Sequence, residues 1–159
     1  MPELDALYRD VILDHYRTPR GKSPLPTANV SNEGQNPLCG DEVTVSAEVN
    51  DQALGKVHVH GRGCSISVAS GSMMADLLAG KSRREAMKIL EAFKKMMHGQ
   101  KWPEGLEEGD LDALQGVRQF PVRIKCALLP WTTLEDALNS LDAGRAPKTS
   151  STEHEGGQS

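Results

Sequence analysis

The chain has 159 residues, a formal net charge of -4, 38% hydrophobic and 25% charged residues, the balance of one soluble globular domain. Such a charge gives no general attraction to nucleic acid or to an anionic membrane, and no stretch approaches the roughly 18 to 20 apolar residues of a membrane span. Three cysteines make an odd, low count that argues against a secreted disulfide framework. With no charged-then-apolar signal layout in MPELDALYRD, the expected location is the cytoplasm, where thiols stay free for metal or chemistry.

Leu4, Leu7, Tyr8, Val11 and Ile12 fall at i, i+3, i+4, i+7 and i+8, which predicts an amphipathic helix over 3–17 that ends near Thr18-Pro19. His15 lies near its apolar stripe and reads as a hydrogen-bonded packing residue. Residues 19–38 carry prolines, glycines and asparagines that break every pattern, so they read as a surface connection delivering the chain to Cys39. Val43, Val45, Ala47 and Val49 alternate with polar residues, the period of a half-buried strand. Turn residues over 50–55 lead into a returning strand over 56–60, whose His58 and His60 share a face and read as solvated positions.

After Cys64, residues Ile66, Ala69, Met73 and Leu77 follow helical spacing, with Gly80 as the stop. Ser82 and Glu85 form a capping box for a third helix with Ala86, Leu90, Phe93 and Met97 on one face, ending near Gly99. Residues 100–116 are acidic and glycine-containing, and their Leu106, Leu111 and Leu114 suggest one or two loose helical turns. Trp131, Leu134, Leu138 and Leu141 predict a last helix. Pro130 leaves two starts open, one near Cys126 with the proline in the first turn, the other a restart capped by Thr132. Residues 1–143 are thus expected to form a single domain, and 144–159, almost without apolar side chains, a disordered tail.

The three cysteines stand 25 and 62 residues apart, unlike the local pairs of a zinc finger. On composition alone they read more simply as small buried hydrophobes. Placement weighs the other way. All three lie at element boundaries, and Cys39-Gly40 and Gly63-Cys64 put glycine where backbone must approach something closely. Thiolates suit zinc or iron-sulfur chemistry, and Asp41 offers an oxygen as fourth ligand. Three thiolates and a carboxylate on a divalent ion carry a formal charge of -2, for which Arg62, Arg123, Lys125 and the helix N-terminus at Cys64 are candidate counter-charges.

The segments Asn36-Pro-Leu-Cys-Gly-Asp41, Gly63-Cys-Ser-Ile-Ser-Val-Ala-Ser-Gly-Ser72 and Arg123-Ile-Lys-Cys126, with Asp14-His15-Tyr16 and Pro19-Arg20 in the first helix region, closely resemble the IscU/NifU-like iron-sulfur assembly family. The resemblance implies an α+β, SufE/IscU-like fold: a three-stranded antiparallel sheet with helices packed on one face and Cys39, Asp41, Cys64 and Cys126 converging at one tip. Cluster scaffolds of this family carry a histidine before the third cysteine and a Leu-Pro-Pro-Val-Lys segment ahead of it. Here stand Lys125 and Gln119-Phe-Pro-Val-Arg123, and 99–116 resembles the insertion of the SufU type. The resemblance to that branch implies zinc held by Cys39, Asp41, Cys64 and Cys126, and a SufS-type cysteine desulfurase passing persulfide sulfur to Cys39 on the way to downstream SUF machinery. A [2Fe-2S] scaffold is the alternative.

Overall fold

The computed structural model describes residues 2–144 and 150–151, with side chains from Tyr8 onward. Helix α1 (Pro2–Arg17) lays Tyr8, Val11 and Ile12 on the core. Its His15 is 1% exposed and joins three parts of the chain. Because the Asp110 carboxylate can only accept, Nε2–H donates to it (2.8 Å) and Nδ1 accepts from the Ser72 hydroxyl (2.7 Å), whose oxygen in turn accepts the Arg20 amide (2.8 Å).

Three strands follow: β1 (Val30–Asn36), β2 (Asp41–Val49) and β3 (Leu54–Arg62). β2 and β3 form the expected hairpin, and Asn50 Oδ1 accepts from the Gln52 and Ala53 amides to close its turn. β1 lies inside the segment expected to be a surface connection. Its inward positions are Val30, Asn32, Gly34 and Asn36, so burial alternates while hydropathy does not, and the period-two signal is absent from the sequence. What remains of that connection runs beside β3, where Gly21 O accepts the Val59 amide (2.8 Å) and so covers the sheet edge.

Helix α2 (Ser65–Leu78) and helix α3 (Arg83–Met97) are as the periodicity predicts. Gly80 and Gly99 end them at φ +79° and +99°, and the Ser82 hydroxyl accepts the Glu85 amide at 3.0 Å. The acidic stretch resolves into 3-10 turns over Gly109–Gln119 that bury Leu111, Leu114 and Val117. Helix α4 (Pro121–Asp142) starts at neither expected place. Pro121 occupies the first helical position, where its missing N–H would be unpaired anyway, and the helix runs unbroken through Pro130 at the loss of one internal hydrogen bond.

The expected three-stranded antiparallel sheet is corrected to a four-stranded mixed one, in the order β3-β2-β1-β4. The added strand β4 (Ser150–Ser151) comes from the segment expected to be a disordered tail and pairs parallel with Gly34 and Gln35; the remainder of 145–159 lies outside the described residues. Two serines carry no hydropathy signal. Hydrogen bonds hold them: Ser150 Oγ accepts from Asn32 Nδ2 (3.1 Å) and donates to Asp136 Oδ2 (2.6 Å). Helices α2 and α4 cover one face of the sheet, α4 over β1 and α2 over β3. Gly34 permits the close approach, since a Cβ there would overlap the Thr133 hydroxyl of α4. That approach carries the first turns of α4 to the end of the β1–β2 hairpin.

Candidate metal centre

Four backbone features deliver the candidate ligands. The last cross-strand pair of β1 and β2 is Asn36 with Asp41, so 37–40 form the hairpin tip. The Cys39 amide donates to Asn36 O (3.2 Å), and Gly40 takes φ +71°, a left-handed conformation that favours glycine. The turn sets Cys39 outward in solvent and sends Asp41 inward, where it is 2% exposed. Cys64 follows β3 and stands at the N-terminus of α2, its amide donating to Asp41 Oδ1 at 2.9 Å. Cys126 lies in the second turn of α4 and is fully buried.

These residues meet. One ligand atom from each of Cys39, Asp41 and Cys126 falls within 4.8 Å of the others, the metal-competent grouping among the described residues. The fourth expected ligand, Cys64, falls outside that grouping, although its Sγ lies 3.8 Å from Asp41 Oδ2. Zinc-sulfur and zinc-oxygen bonds of about 2.3 and 2.0 Å imply tetrahedral edges of about 3.8 Å between two sulfurs and about 3.5 Å between sulfur and oxygen. The Cys39–Cys126 sulfur separation is 3.5 Å. These two separations are close to tetrahedral edge lengths, and three thiolates with one carboxylate form a donor set suited to zinc.

Without metal the thiols divide a proton unequally. The Cys64 thiol is lowered to about 6, first because the Cys126 thiol donates to it and then because the Ser67 and Ile66 amides point at it, against burial and the Asp41 charge. Cys126 is raised far above the ordinary thiol range, first because its proton is shared toward Cys64 and second by burial. One thiolate and one retained proton therefore share the pocket. A divalent ion would displace that proton.

The expected cationic neighbours play a smaller part. Arg62 is 85% exposed and pairs with Glu42 at 3.3 Å. Arg123 lines a groove of about 590 Å³ with Tyr8, Ile12, Ile66, Val117 and Phe120. Close to the sulfurs stand neutral donors instead: the Cys64 amide on Asp41, and Asn36 Nδ2, 3.4 Å from Cys126 Sγ. Asn36 and Ser67, whose Oγ lies 3.9 Å from Cys64 Sγ, were not singled out from sequence. Both lie inside the cysteine-bearing motifs, which was the available signal. His58 bonds Ser23 O (2.8 Å) and, like His60, takes no place in the ligand grouping. No helix among the described residues is long and apolar enough to cross a membrane.

Known proteins are similar to this chain in sequence and fold. The chain is 40% identical over 141 residues to the zinc-dependent sulfurtransferase SufU of Bacillus subtilis (strain 168), covering 89% of this chain and 95% of that protein. It is 36% identical over 138 residues to the iron-sulfur cluster assembly scaffold protein IscU of Streptococcus pyogenes serotype M1, covering 87% and 86%. The crystal structure of a SUF-system cluster assembly scaffold protein from Fervidobacterium islandicum AW-1 superposes with a TM-score of 0.76 at 34% identity, covering 81% of this chain and 94% of that one. The N-terminal part of a NifU-like protein from Brucella abortus, at 23% identity and a TM-score of 0.78, shares the fold. Residues 7–127 match the NifU-like N-terminal domain from α1 through the hairpin tip and the α2 N-terminus to Cys126, and the chain belongs to that family.

Proposed function

We propose that this chain is a zinc-dependent sulfur acceptor of iron-sulfur cluster biogenesis. It takes persulfide sulfur from a SufS-type cysteine desulfurase onto Cys39, relieving the donor for another turnover, and passes it to downstream SUF machinery. The observation that carries this reading is the inequality of the four ligands. Cys39 is exposed at a hairpin tip, whereas Asp41 and Cys126 are buried and Cys64 is half-buried. Three residues hold, and one can leave.

Cys39, Asp41, Cys64 and Cys126 would hold the zinc, which when bound would supply a Lewis-acid centre that keeps thiolates deprotonated and, while Cys39 is a ligand, withholds it as a nucleophile. The freed Cys39 thiolate attacks the terminal sulfur of the donor persulfide. The new bond is Cys39 Sγ to that sulfur, the donor S–S bond breaks, and the donor cysteine leaves as thiolate. Neither sulfur pair needs an outside oxidant or reductant. Gly40 takes the left-handed conformation that separates outward Cys39 from Asp41, which is anchored in β2 by its pairing with Asn36. The 40% identity to a zinc-dependent sulfurtransferase supports the same role.

The test is Cys39→Ala, followed by zinc content and by intact mass after incubation with desulfurase and cysteine. The variant is expected to keep zinc and to gain no sulfur, while the wild type gains one sulfur atom on Cys39. Undiminished sulfur transfer by the variant refutes the proposal. The same four donors and the 36% identity to a scaffold favour a second reading, assembly of a [2Fe-2S] cluster. A brown, iron-containing protein that hands its cluster to an apo acceptor would establish it, and a colourless protein with one zinc would favour sulfur transfer.

A further inference from the structure

We propose that Asn36 is a positioning residue of the metal centre: its side-chain amide fixes Cys126 as a permanent ligand, so that metal is retained when Cys39 departs. The inference rests on the reading of Cys39 as the ligand that leaves. Asn36 ends β1 and is fully buried. It touches the site three ways. Its carbonyl accepts the Cys39 amide (3.2 Å), it is the cross-strand partner of Asp41, and its Nδ2 donates to Cys126 Sγ (3.4 Å).

The other half of the amide points to function. Asn36 Oδ1 is buried and has no hydrogen-bond partner. A buried carbonyl left unpaired costs stability, and an aliphatic side chain of the same branching would avoid the cost. Turning the amide over would not help, because it would set an oxygen against the sulfur lone pairs of a metal-bound Cys126. The observed orientation therefore suits a thiolate at Cys126, the form it takes as a ligand.

An N–H donated to a thiolate is a charge-assisted bond that draws electron density from sulfur and holds it in one direction. Cys39 Sγ has a different setting, exposed and against the Cys126 sulfur at 3.5 Å. Cys39 at the tip and Cys126 in α4 thus differ in hydrogen bonding as well as in exposure. When four ligands are bound the loss of that hydrogen bond is shared among them. With Cys39 gone it falls on a three-ligand site, where the orientation of Cys126 decides whether the metal stays.

The experiment measures zinc release into excess chromophoric chelator for wild type, Asn36→Leu, Cys39→Ala and the double variant. Asn36→Leu is expected to accelerate release about 10- to 100-fold in the Cys39→Ala background, the usual effect of removing a ligand-orienting hydrogen bond, and by a smaller factor when Cys39 is present. In cobalt-substituted protein Asn36→Leu should move the sulfur-to-cobalt charge-transfer band to lower energy while the tetrahedral ligand-field bands persist. Asn36→Asp keeps the shape but turns an acceptor to the sulfur, and should release zinc faster than Asn36→Leu.

The metal-free Asn36→Leu protein should melt no lower than wild type, which separates this effect from misfolding. Equal release from Cys39→Ala and the double variant, with an unmoved cobalt band, overturns the proposal. If Cys39→Ala itself cannot hold zinc, the role given to Cys39 fails. A shifted band in Asn36→Leu would in that case still support the Asn36 bond.

Discussion

Replacing Asp41 by asparagine should change stability in opposite directions with and without metal. Asp41 Oδ2 lies 3.8 Å from Cys64 Sγ, and its charge opposes ionisation of the Cys64 thiol, which is nevertheless lowered to about 6 in the metal-free protein. Two unit charges at that distance repel by about 4 kcal/mol at the effective dielectric of a partly buried pair. Asparagine removes the repulsion and still accepts the Cys64 amide through Oδ1, although a neutral acceptor forfeits about 1 to 2 kcal/mol of the charge-assisted bond. The net gain of about 2 kcal/mol should raise the metal-free melting temperature by about 4 to 8 °C. With zinc present the amide is a poor replacement for a carboxylate ligand, so the variant should melt below wild type. The assay is thermal unfolding by circular dichroism at pH 8, with chelator and with excess zinc, repeated at pH 5 with chelator. At pH 5 the Cys64 thiolate is protonated and the metal-free advantage should vanish. A variant that is less stable in chelator at pH 8, or that holds zinc as tightly as wild type, would refute the reasoning.

Gly34→Ala should cost about 1 to 3 kcal/mol, since its methyl would overlap the Thr133 hydroxyl and press Leu129 Cδ1 at 3.1 Å, and equilibrium urea unfolding measures it. Adding Thr133→Ala should recover most of that loss, and a Gly34→Ala protein of wild-type stability would show that α4 does not pack as described. In metal-free protein, iodoacetamide labelling mapped by peptide mass should find Cys64 modified with a half-maximal rate near pH 6, its thiolate populated above that value and lost below it. A midpoint in the ordinary thiol range would remove the proposed sharing of a proton with Cys126.

Legibility in the sequence followed the type of residue facing the core. Helices α2 and α3 and strands β2 and β3 bury Val, Ala, Leu, Met and Phe at regular spacing, and each is readable from periodicity. β1 turns Asn32, Gly34 and Asn36 inward, and β4 is two serines, so neither has a hydropathy pattern although both belong to the sheet. The start of α4 is decided by Pro121 at its first position. Pro130 looks like a breaker from sequence, but burial of Leu128, Leu129, Trp131 and Leu134 around it outweighs one missing hydrogen bond.

The candidate ligands Cys39, Asp41, Cys64 and Cys126 can be named without a structure, because the motifs that carry them resemble those of the family, although composition alone favours small buried hydrophobes. Their inequality cannot. Exposure of Cys39, burial of Cys126, the proton placed between Cys64 and Cys126, and the Asn36 amide against a sulfur all depend on which atoms meet across 62 to 90 residues of chain, where hydrogen bonds and desolvation act and sequence spacing has no say. The sequence by itself determined which residues are candidate ligands, and the tertiary structure decided their unequal burial, because the hairpin tip leaves Cys39 in solvent while α4 packed on β1 buries Cys126.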